Sequence, residues 1–188
     1  MFKKAFLFLL EFVKLSAIAL LIIIPVRYFL IQPFYVKGAS MTPTFHDYEY
    51  LIIDELSYRF DEPKRGEVVV FRYPKDPQEH FIKRVIGLPG EEVQIKNGAV
   101  YIYNQDNPDG LILNEPYLAA GEVTTANNEN KILLKDREYF VLGDNRKASQ
   151  DSRIFGPVNR SFITGKVWLR GFPISKAQVF NENNLPKY

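Results

Sequence analysis

The sequence predicts a mostly β domain of antiparallel strands, preceded by one N-terminal transmembrane helix. An apolar run lies near the N-terminus, and short runs rich in valine, isoleucine and aromatic residues follow Pro33. No long apolar pattern with a 3.6-residue period appears after residue 35. The chain has 188 residues, of which 46% are hydrophobic, so it can form one domain with its own core.

The apolar run at residues 15–26 is the candidate membrane anchor. As a helix this run rises only about 18 Å, which is less than the thickness of a hydrocarbon core, roughly 30 Å. A helix extended to about Ile31 is long enough to cross that core, with the Arg27 guanidinium near the headgroups. A cleaved secretory signal would need a small-x-small site after the run, and none lies nearby. A buried core helix is rarely apolar on all sides over this length. We therefore expect a short tail at 1–14 and a transmembrane anchor at 15–33.

Charge predicts the direction of this anchor. Lys3, Lys4 and Lys14 precede the span and only Glu11 opposes them, so the N-terminus is expected in the cytoplasm. Residues 34–188 are then expected outside the cytoplasm, held by a single pass through the cell membrane. The absence of cysteine fits an exported domain, because such a domain cannot form wrong disulfides.

Composition excludes several classes of function. Lysine plus arginine total 24 against 22 aspartates and glutamates, a balance too even for binding nucleic acid by charge alone. A chain without cysteine has no thiol nucleophile, and two histidines, His46 and His80, argue against a multi-histidine metal centre. The chain also lacks a phosphate-binding loop and a dinucleotide fingerprint. We expect no cofactor, no metal and no nucleic-acid partner.

Short β-type runs cover the chain after Pro33. In order they are EYLII, EVVVF, HFIKRVIG, EEVQIK, AVYIY, REYFVLG and GKVWL. Asn97-Gly98 separates two of them and predicts a tight hairpin, because both turn residues have to reach positive φ. A small β excursion is expected at about 92–137. Its polar, turn-rich part at 104–130 is predicted to be a surface loop without chemistry.

The first chemically unusual segment, residues 38–44, surrounds Ser40 with small residues. A serine nucleophile needs an exposed hydroxyl, a chain tight enough to aim it, and free backbone N–H groups for an oxyanion. Pro43 restricts the backbone nearby. A simple turn at the membrane surface explains the same residues and is favoured on this segment alone.

The second segment, residues 81–91, places Lys83 among hydrophobic residues of a predicted strand. Such a lysine either extends to water or is buried, and burial lowers its pKa from about 10.4 by up to several units. A neutral lysine can act as the general base for a serine. An edge-strand lysine that keeps the protein soluble is the alternative, and it is favoured on this segment alone.

The third segment, residues 143–158, has too many polar residues for a simple hairpin. Asp151 and Arg153 can form an ion pair there, and Ser149 can hydrogen-bond a neighbouring amine, although a solvated loop is the alternative. His46 is a weaker candidate for the base of Ser40, because nothing evident orients it.

Taken together and in this order, the segments resemble those of bacterial type I signal peptidase. Residues 40–44 (SMTPT) match its nucleophile box, and residues 66–71 (GEVVVF) resemble a strand motif. Residues 83–91 (KRVIGLPGE) match the lysine box, and residues 143–156 match the last box. The similarity runs from the apolar segment to about Val167.

The resemblance implies a serine endopeptidase that removes signal peptides from exported preproteins. Ser40 would attack the carbonyl, neutral Lys83 would take its proton and later assist hydrolysis of the acyl-enzyme, and Ser149 would hold the Lys83 amine. The Ser40 backbone N–H would supply one oxyanion donor. Gly38 stands where some members carry a serine as second donor, which leaves that role to a backbone N–H or a water.

The remaining implied residues support the site or bind substrate. The supporting residues are Arg84, Asp144, Arg146, Asp151 and Arg153. Substrate contacts are implied for Val36, Met41 and Ile82, beside shallow pockets that accept small-x-small sites such as Ala-x-Ala. The substrate is expected to add as a strand between the Ser40 segment and the Lys83 strand.

The implied partners are the lipid bilayer and preproteins that emerge from the secretion translocon. Self-cleaving SOS repressors share the serine–lysine pair, but they lack an anchor and are the less similar relatives. A catalytically inactive, membrane-tethered β module that binds partners remains the alternative from a different class.

Overall fold

The computed structural model describes residues 2–29, 31–126 and 128–186. Within these ranges the chain forms two α-helices, α1 (Phe2–Phe29) and the short α2 (Ser152–Phe155), four short 3-10 helices and twelve strands. The strands are β1 (Ile31–Tyr35), β2 (Tyr50–Asp54), β3 (Val68–Tyr73), β4 (Asp76–Gly87), β5 (Glu92–Lys96), β6 (Ala99–Tyr103), β7 (Leu111–Ile112), β8 (Ile132–Leu133), β9 (Glu138–Leu142), β10 (Val158–Asn159), β11 (Ile163–Phe172) and β12 (Gln178–Val179). The prediction of a mostly β, antiparallel domain is confirmed.

The N-terminal helix contains the apolar run but ends earlier than the predicted anchor. Residues 31–33, assigned to that anchor, pair with β2, and Pro33 favours the change because a residue before proline prefers extended backbone. None of the helices in the described ranges has the combined length and hydropathy of a membrane span. The Arg27 side chain, predicted to lie near headgroups, falls outside the described side chains.

Two antiparallel sheets carry the rest of the chain. The larger has the strand order β1-β2-β11-β3-β4-β9-β10, with β12 also paired to β11. The smaller has the order β7-β6-β5-β8. Asn97 and Gly98 have φ values of 50° and 79° and join Lys96 to its partner Ala99, so the predicted hairpin is confirmed.

The long strand β4 positions the chemically important residues. Its first half is exposed, whereas the half that follows Ile82 is buried between β3 and β9. Successive side chains of a strand point to opposite faces, so neighbouring Lys83 and Arg84 enter different environments. Further along, Ile86 packs with Val93 and Val100, which joins the small sheet to the large one.

Candidate active site

The loop after β1 brings Ser40 against the Lys83 side chain. Lys83 Nζ donates hydrogen bonds to Ser40 Oγ and to the Ile82 carbonyl, both at 2.8 Å. Only 4% of Lys83 is exposed. The two residues are far apart in the sequence, and their contact places the hydroxyl of a loop residue beside the buried amine of β4, an inner strand of the large sheet.

The surroundings of Lys83 favour the neutral amine. Burial lowers the pKa of Lys83 to about 8, because an ammonium loses its hydration in this position. The negative charges of Asp151 and Asp144 act in the opposite direction and limit the decrease in this pKa. About a tenth of Lys83 is therefore unprotonated at pH 7, and the neutral amine can accept a proton from Ser40.

Backbone donors around Ser40 differ in their availability. Gly38 has φ of +90°, which glycine adopts without steric cost, and its N–H donates to Asp47 Oδ1 at 2.9 Å. That N–H is therefore occupied and does not replace the missing second oxyanion donor. The Ser40 N–H donates to no residue in the described ranges and remains available.

Asn145 fixes the nucleophile loop from the far side. Its backbone N–H donates to the Ser40 carbonyl at 3.1 Å, and its Nδ2 donates to Ala39 O at 3.1 Å and Thr42 Oγ1 at 3.0 Å. Sequence reasoning assigned no role to Asn145. The only signal was its position between Asp144 and Arg146 in the last box.

A buried ion pair joins β4 to both loops of the site. Arg84 donates to Asp144 through Nε at 2.8 Å and through Nη2 at 2.6 Å. Thr44, from the nucleophile loop, donates its hydroxyl to the same carboxylate at 2.5 Å. The Tyr117 ring stacks over the guanidinium, 3.9 Å from Arg84 Cζ. Arg84 and Asp144 therefore support the site without contacting the Ser40 hydroxyl.

A second ion pair shapes the turn behind the site. Arg153 donates to Asp151 through Nε at 2.8 Å and through Nη2 at 2.7 Å, as the sequence suggested. Asp151 also caps α2 and accepts the Gly143 N–H at 3.1 Å. Arg153 further donates to the Arg146 carbonyl at 2.8 Å, which closes the loop on itself.

The polar excursion at 104–130, predicted to be a surface loop without chemistry, contributes structural contacts to this framework. Arg146 donates to Glu115 at 2.6 and 3.0 Å and also hydrogen-bonds Thr124. Thr124 is buried, and Arg146 donates to the Gly143 carbonyl at 3.0 Å. These loop residues supply hydrogen-bond acceptors that the buried guanidinium requires.

The implied hydrogen bond between Ser149 and the Lys83 amine is not present. Ser149 Oγ is buried and has no hydrogen-bond partner among the described residues. The hydroxyl lies close to Gly143, where an added Cβ would come within 2.1 Å of it. Lys83 instead directs its amine toward Ser40 and the Ile82 carbonyl.

A cleft of about 630 Å³ runs from the Ser40–Lys83 contact along β1 and β4. Val36 and Ile82 line it, as the resemblance implied. Met41 does not line it, because its side chain is 1% exposed and packs in the core with Phe45. His80 also lines the cleft, and its ring contacts that of Phe34 in a tilted arrangement, with centroids 5.5 Å apart and an interplanar angle of 55°.

The other candidate groups lie elsewhere. His46 approaches Glu49 at 3.7 Å and does not line the cleft. Across residues 2–29, 31–126 and 128–186, no cluster of three or more histidine, aspartate or glutamate side chains is arranged to hold a metal ion.

Comparison with known proteins places this arrangement in a family. The family model described as signal peptidase, peptidase S26, matches residues 9–172. A probable signal peptidase I-2 from Synechocystis is 36% identical over 93% of this chain and 78% of its own. Signal peptidase IB from Staphylococcus aureus is 34% identical over 94% of this chain and 96% of its own.

A solved structure of signal peptidase I from Enterococcus faecalis is 30% identical, with a TM-score of 0.47, and its match covers 57% of this chain and 97% of the other. The family match extends over most of this chain, and it includes both Ser40 and Lys83. The chain therefore belongs to the signal peptidase family, peptidase S26, a family of serine endopeptidases.

Proposed function

We propose that this protein removes signal peptides from exported preproteins, with Ser40 as nucleophile and Lys83 as general base. The observation that carries the proposal is the 2.8 Å contact between Lys83 Nζ and Ser40 Oγ, made by an amine that is almost completely buried. An ordinary lysine is protonated at neutral pH and cannot act as a base. Burial lowers the pKa of Lys83 to about 8, so a fraction of this lysine is neutral at pH 7 and can act as a base.

The proposed reaction has two halves. Ser40 Oγ attacks the scissile carbonyl and transfers its proton to Lys83 Nζ, while the Ser40 N–H donates to the developing oxyanion. The ammonium of Lys83 then protonates the departing amine, and an acyl-enzyme on Ser40 remains. Lys83, neutral again, takes a proton from water, whose oxygen attacks the ester carbonyl. The bond between Ser40 Oγ and the acyl carbon then breaks, Lys83 returns the proton to Ser40 Oγ, and the signal peptide leaves with a new carboxyl group.

Specificity for small-x-small sites follows from the cleft beside Ser40. Val36 and Ile82 line the cleft beside Ser40, and the proposed limit is that their apolar side chains admit only small side chains next to the scissile bond. A substrate strand lying between the Val36 segment and β4 would face these side chains with alternate residues. Alanine at the first and third positions before the scissile bond satisfies this limit.

An aromatic surface supports a location at the lipid bilayer, with the helical residues 15–29 as anchor, the N-terminus in the cytoplasm and the catalytic domain outside. Tyr35, Tyr48, Tyr50 and Phe172 are all exposed and form one continuous set of ring contacts. Exposed aromatic side chains of this kind favour a membrane interface, because a tyrosine there can place its apolar ring against lipid and its hydroxyl in water. Preproteins leaving the translocon would present their cleavage sites at the same surface.

Cleavage is expected to increase with pH until Lys83 is neutral. Because the pKa of Lys83 is lowered to about 8, the neutral fraction should fall about tenfold for each pH unit below that value. Measuring kcat/KM from about pH 6 to about pH 9 should therefore show a rise followed by a plateau. A profile that is flat across this range would remove Lys83 from the role of base.

The direct test is cleavage of a preprotein bearing an Ala-x-Ala site by the detergent-solubilised full chain, beside Ser40→Ala. We expect the wild type to cut after the second alanine and the variant to leave the preprotein intact. A serine-acylating inhibitor should label the wild type alone. Failure of the wild type both to cut and to be labelled would favour the inactive binding module.

A further inference from the structure

The C-terminal segment contacts the nucleophile loop directly through Phe180 and indirectly through Arg170 of β11. Residues 173–186 follow the part of the chain matched by the family model, which ends at residue 172. Arg170, near the end of β11, donates through Nε to the Lys176 carbonyl at 2.8 Å and through Nη2 to Gln178 Oε1 at 2.9 Å. The segment is therefore folded back over β11.

The same guanidinium also holds the nucleophile loop. Arg170 Nη1 donates to the Thr44 carbonyl at 2.9 Å and to Glu49 Oε2 at 3.3 Å. Its Cζ lies 5.7 Å from the ring centroids of both Phe45 and Phe180, and those two rings are 5.0 Å apart. The cation and the two rings form one cluster, with ring faces that attract the guanidinium.

This cluster is close to Ser40 along the chain. Phe45 is completely buried, and its N–H donates at 2.8 Å to the carbonyl of Met41, the residue after the nucleophile. Thr44 is held from two directions, because Asp144 accepts its hydroxyl while Arg170 binds its carbonyl. Removing the C-terminal contact would free one side of this short loop.

We propose that Arg170, Gln178 and Phe180 form a C-terminal clasp that positions the nucleophile loop for attack. Arg170 and Phe180 act as positioning residues through Thr44 and Phe45, and neither contacts substrate. Catalytic groups have to stay within a fraction of an ångström of their productive geometry, so a looser loop should lower kcat more than it raises KM. The kinetic part of this proposal rests on the proposed function.

Two deletions of the full chain separate the clasp from the rest of the segment. Deleting residues 177–188 removes Gln178 and Phe180, and we expect kcat to fall roughly tenfold while KM stays within about twofold. Deleting residues 181–188 is the matched control, because it retains the clasp but removes the Lys64–Glu182 ion pair. We expect the control to keep wild-type kcat. Equal kcat in both deletion variants would overturn the proposal.

Point substitutions distinguish positioning from a loss of stability. Phe180→Ala should reproduce the loss of kcat, whereas Phe180→Tyr should keep kcat close to the wild-type value because it retains the ring. Val179→Ala changes an exposed neighbouring side chain and should leave kcat unchanged. A decrease in kcat for Phe180→Ala that Phe180→Tyr does not restore would contradict a role for the ring.

Hydrogen exchange tests the clasp without reference to peptidase activity. In the deletion of 177–188, the amides of Phe45 and Asn145 should exchange faster than in the deletion of 181–188, because both amides bond within or to the nucleophile loop. This result would support the clasp even if the wild type cleaved no preprotein. Unchanged exchange at both amides would refute the clasp and leave the proposed function intact.

Discussion

Replacing Lys83 with arginine is expected to abolish preprotein cleavage as fully as replacing it with alanine. Arginine keeps the positive charge, but its pKa lies above 12 and burial does not make it an accessible base. We expect kcat to fall by about 10²–10⁴-fold in both variants, the range over which a general base contributes. Single-turnover cleavage of an Ala-x-Ala preprotein measures the change.

Lys166→Arg is the matched control for this substitution. Lys166 is also partly buried, but its Nζ donates to Glu67 at 2.9 Å, and arginine can satisfy the same carboxylate. Activity should therefore remain close to wild type. Retention of more than about a tenth of wild-type kcat in Lys83→Arg would mean that another group is the base of Ser40.

Asp144→Asn is expected to cause the largest loss of stability. The substitution removes the negative charge of the carboxylate that Arg84 contacts through both Nε and Nη2, and both side chains of this pair are buried. Leaving one member of such a pair without its partner costs about 3–5 kcal/mol. Urea unfolding of the detergent-solubilised protein measures this difference in the free energy of unfolding.

Glu92→Gln provides the matched comparison, since it makes the same change of carboxylate to amide in a pair that is exposed. Glu92 and Lys131 are 3.0 Å apart and roughly two-fifths exposed, so their separation should cost about 1 kcal/mol or less. If both amide variants unfolded at the same urea concentration, the Arg84–Asp144 pair would contribute no more to the free energy of unfolding than the exposed Glu92–Lys131 pair does.

Local features of the fold were predictable from the sequence. The hairpin at Asn97-Gly98 depends on two adjacent residues, and the second part of β4, residues 80–87 (HFIKRVIG), was predicted from its β-branched and aromatic side chains. Ser40 and Lys83 were identified through their motifs, because neither segment alone favoured a catalytic interpretation. The structure then places the two side chains in contact.

Long-range partners were not predictable in the same way. The Arg84–Asp144 pair joins residues 60 positions apart, and the contact of Arg170 with Thr44 joins residues 126 apart. Nothing in a single sequence specifies which buried carboxylate or carbonyl meets a given arginine. The short distance between residues 149 and 143 likewise depends on the turn that Asp151 stabilises, so the orientation of Ser149 could not be deduced from its motif.

The adjacency of Lys83 and Arg84 in β4 makes catalysis sensitive to the register of the β3–β4 hairpin. In the native pairing Lys83 lies opposite Val69 and Arg84 opposite Val68. A slip by one residue would exchange the faces of both side chains and bring a permanent cation to Ser40. Such a misregistered molecule could be compact and rich in β-structure, yet it would lack a base. Correct strand registration is therefore a condition of activity that measurements of secondary-structure content alone would not detect.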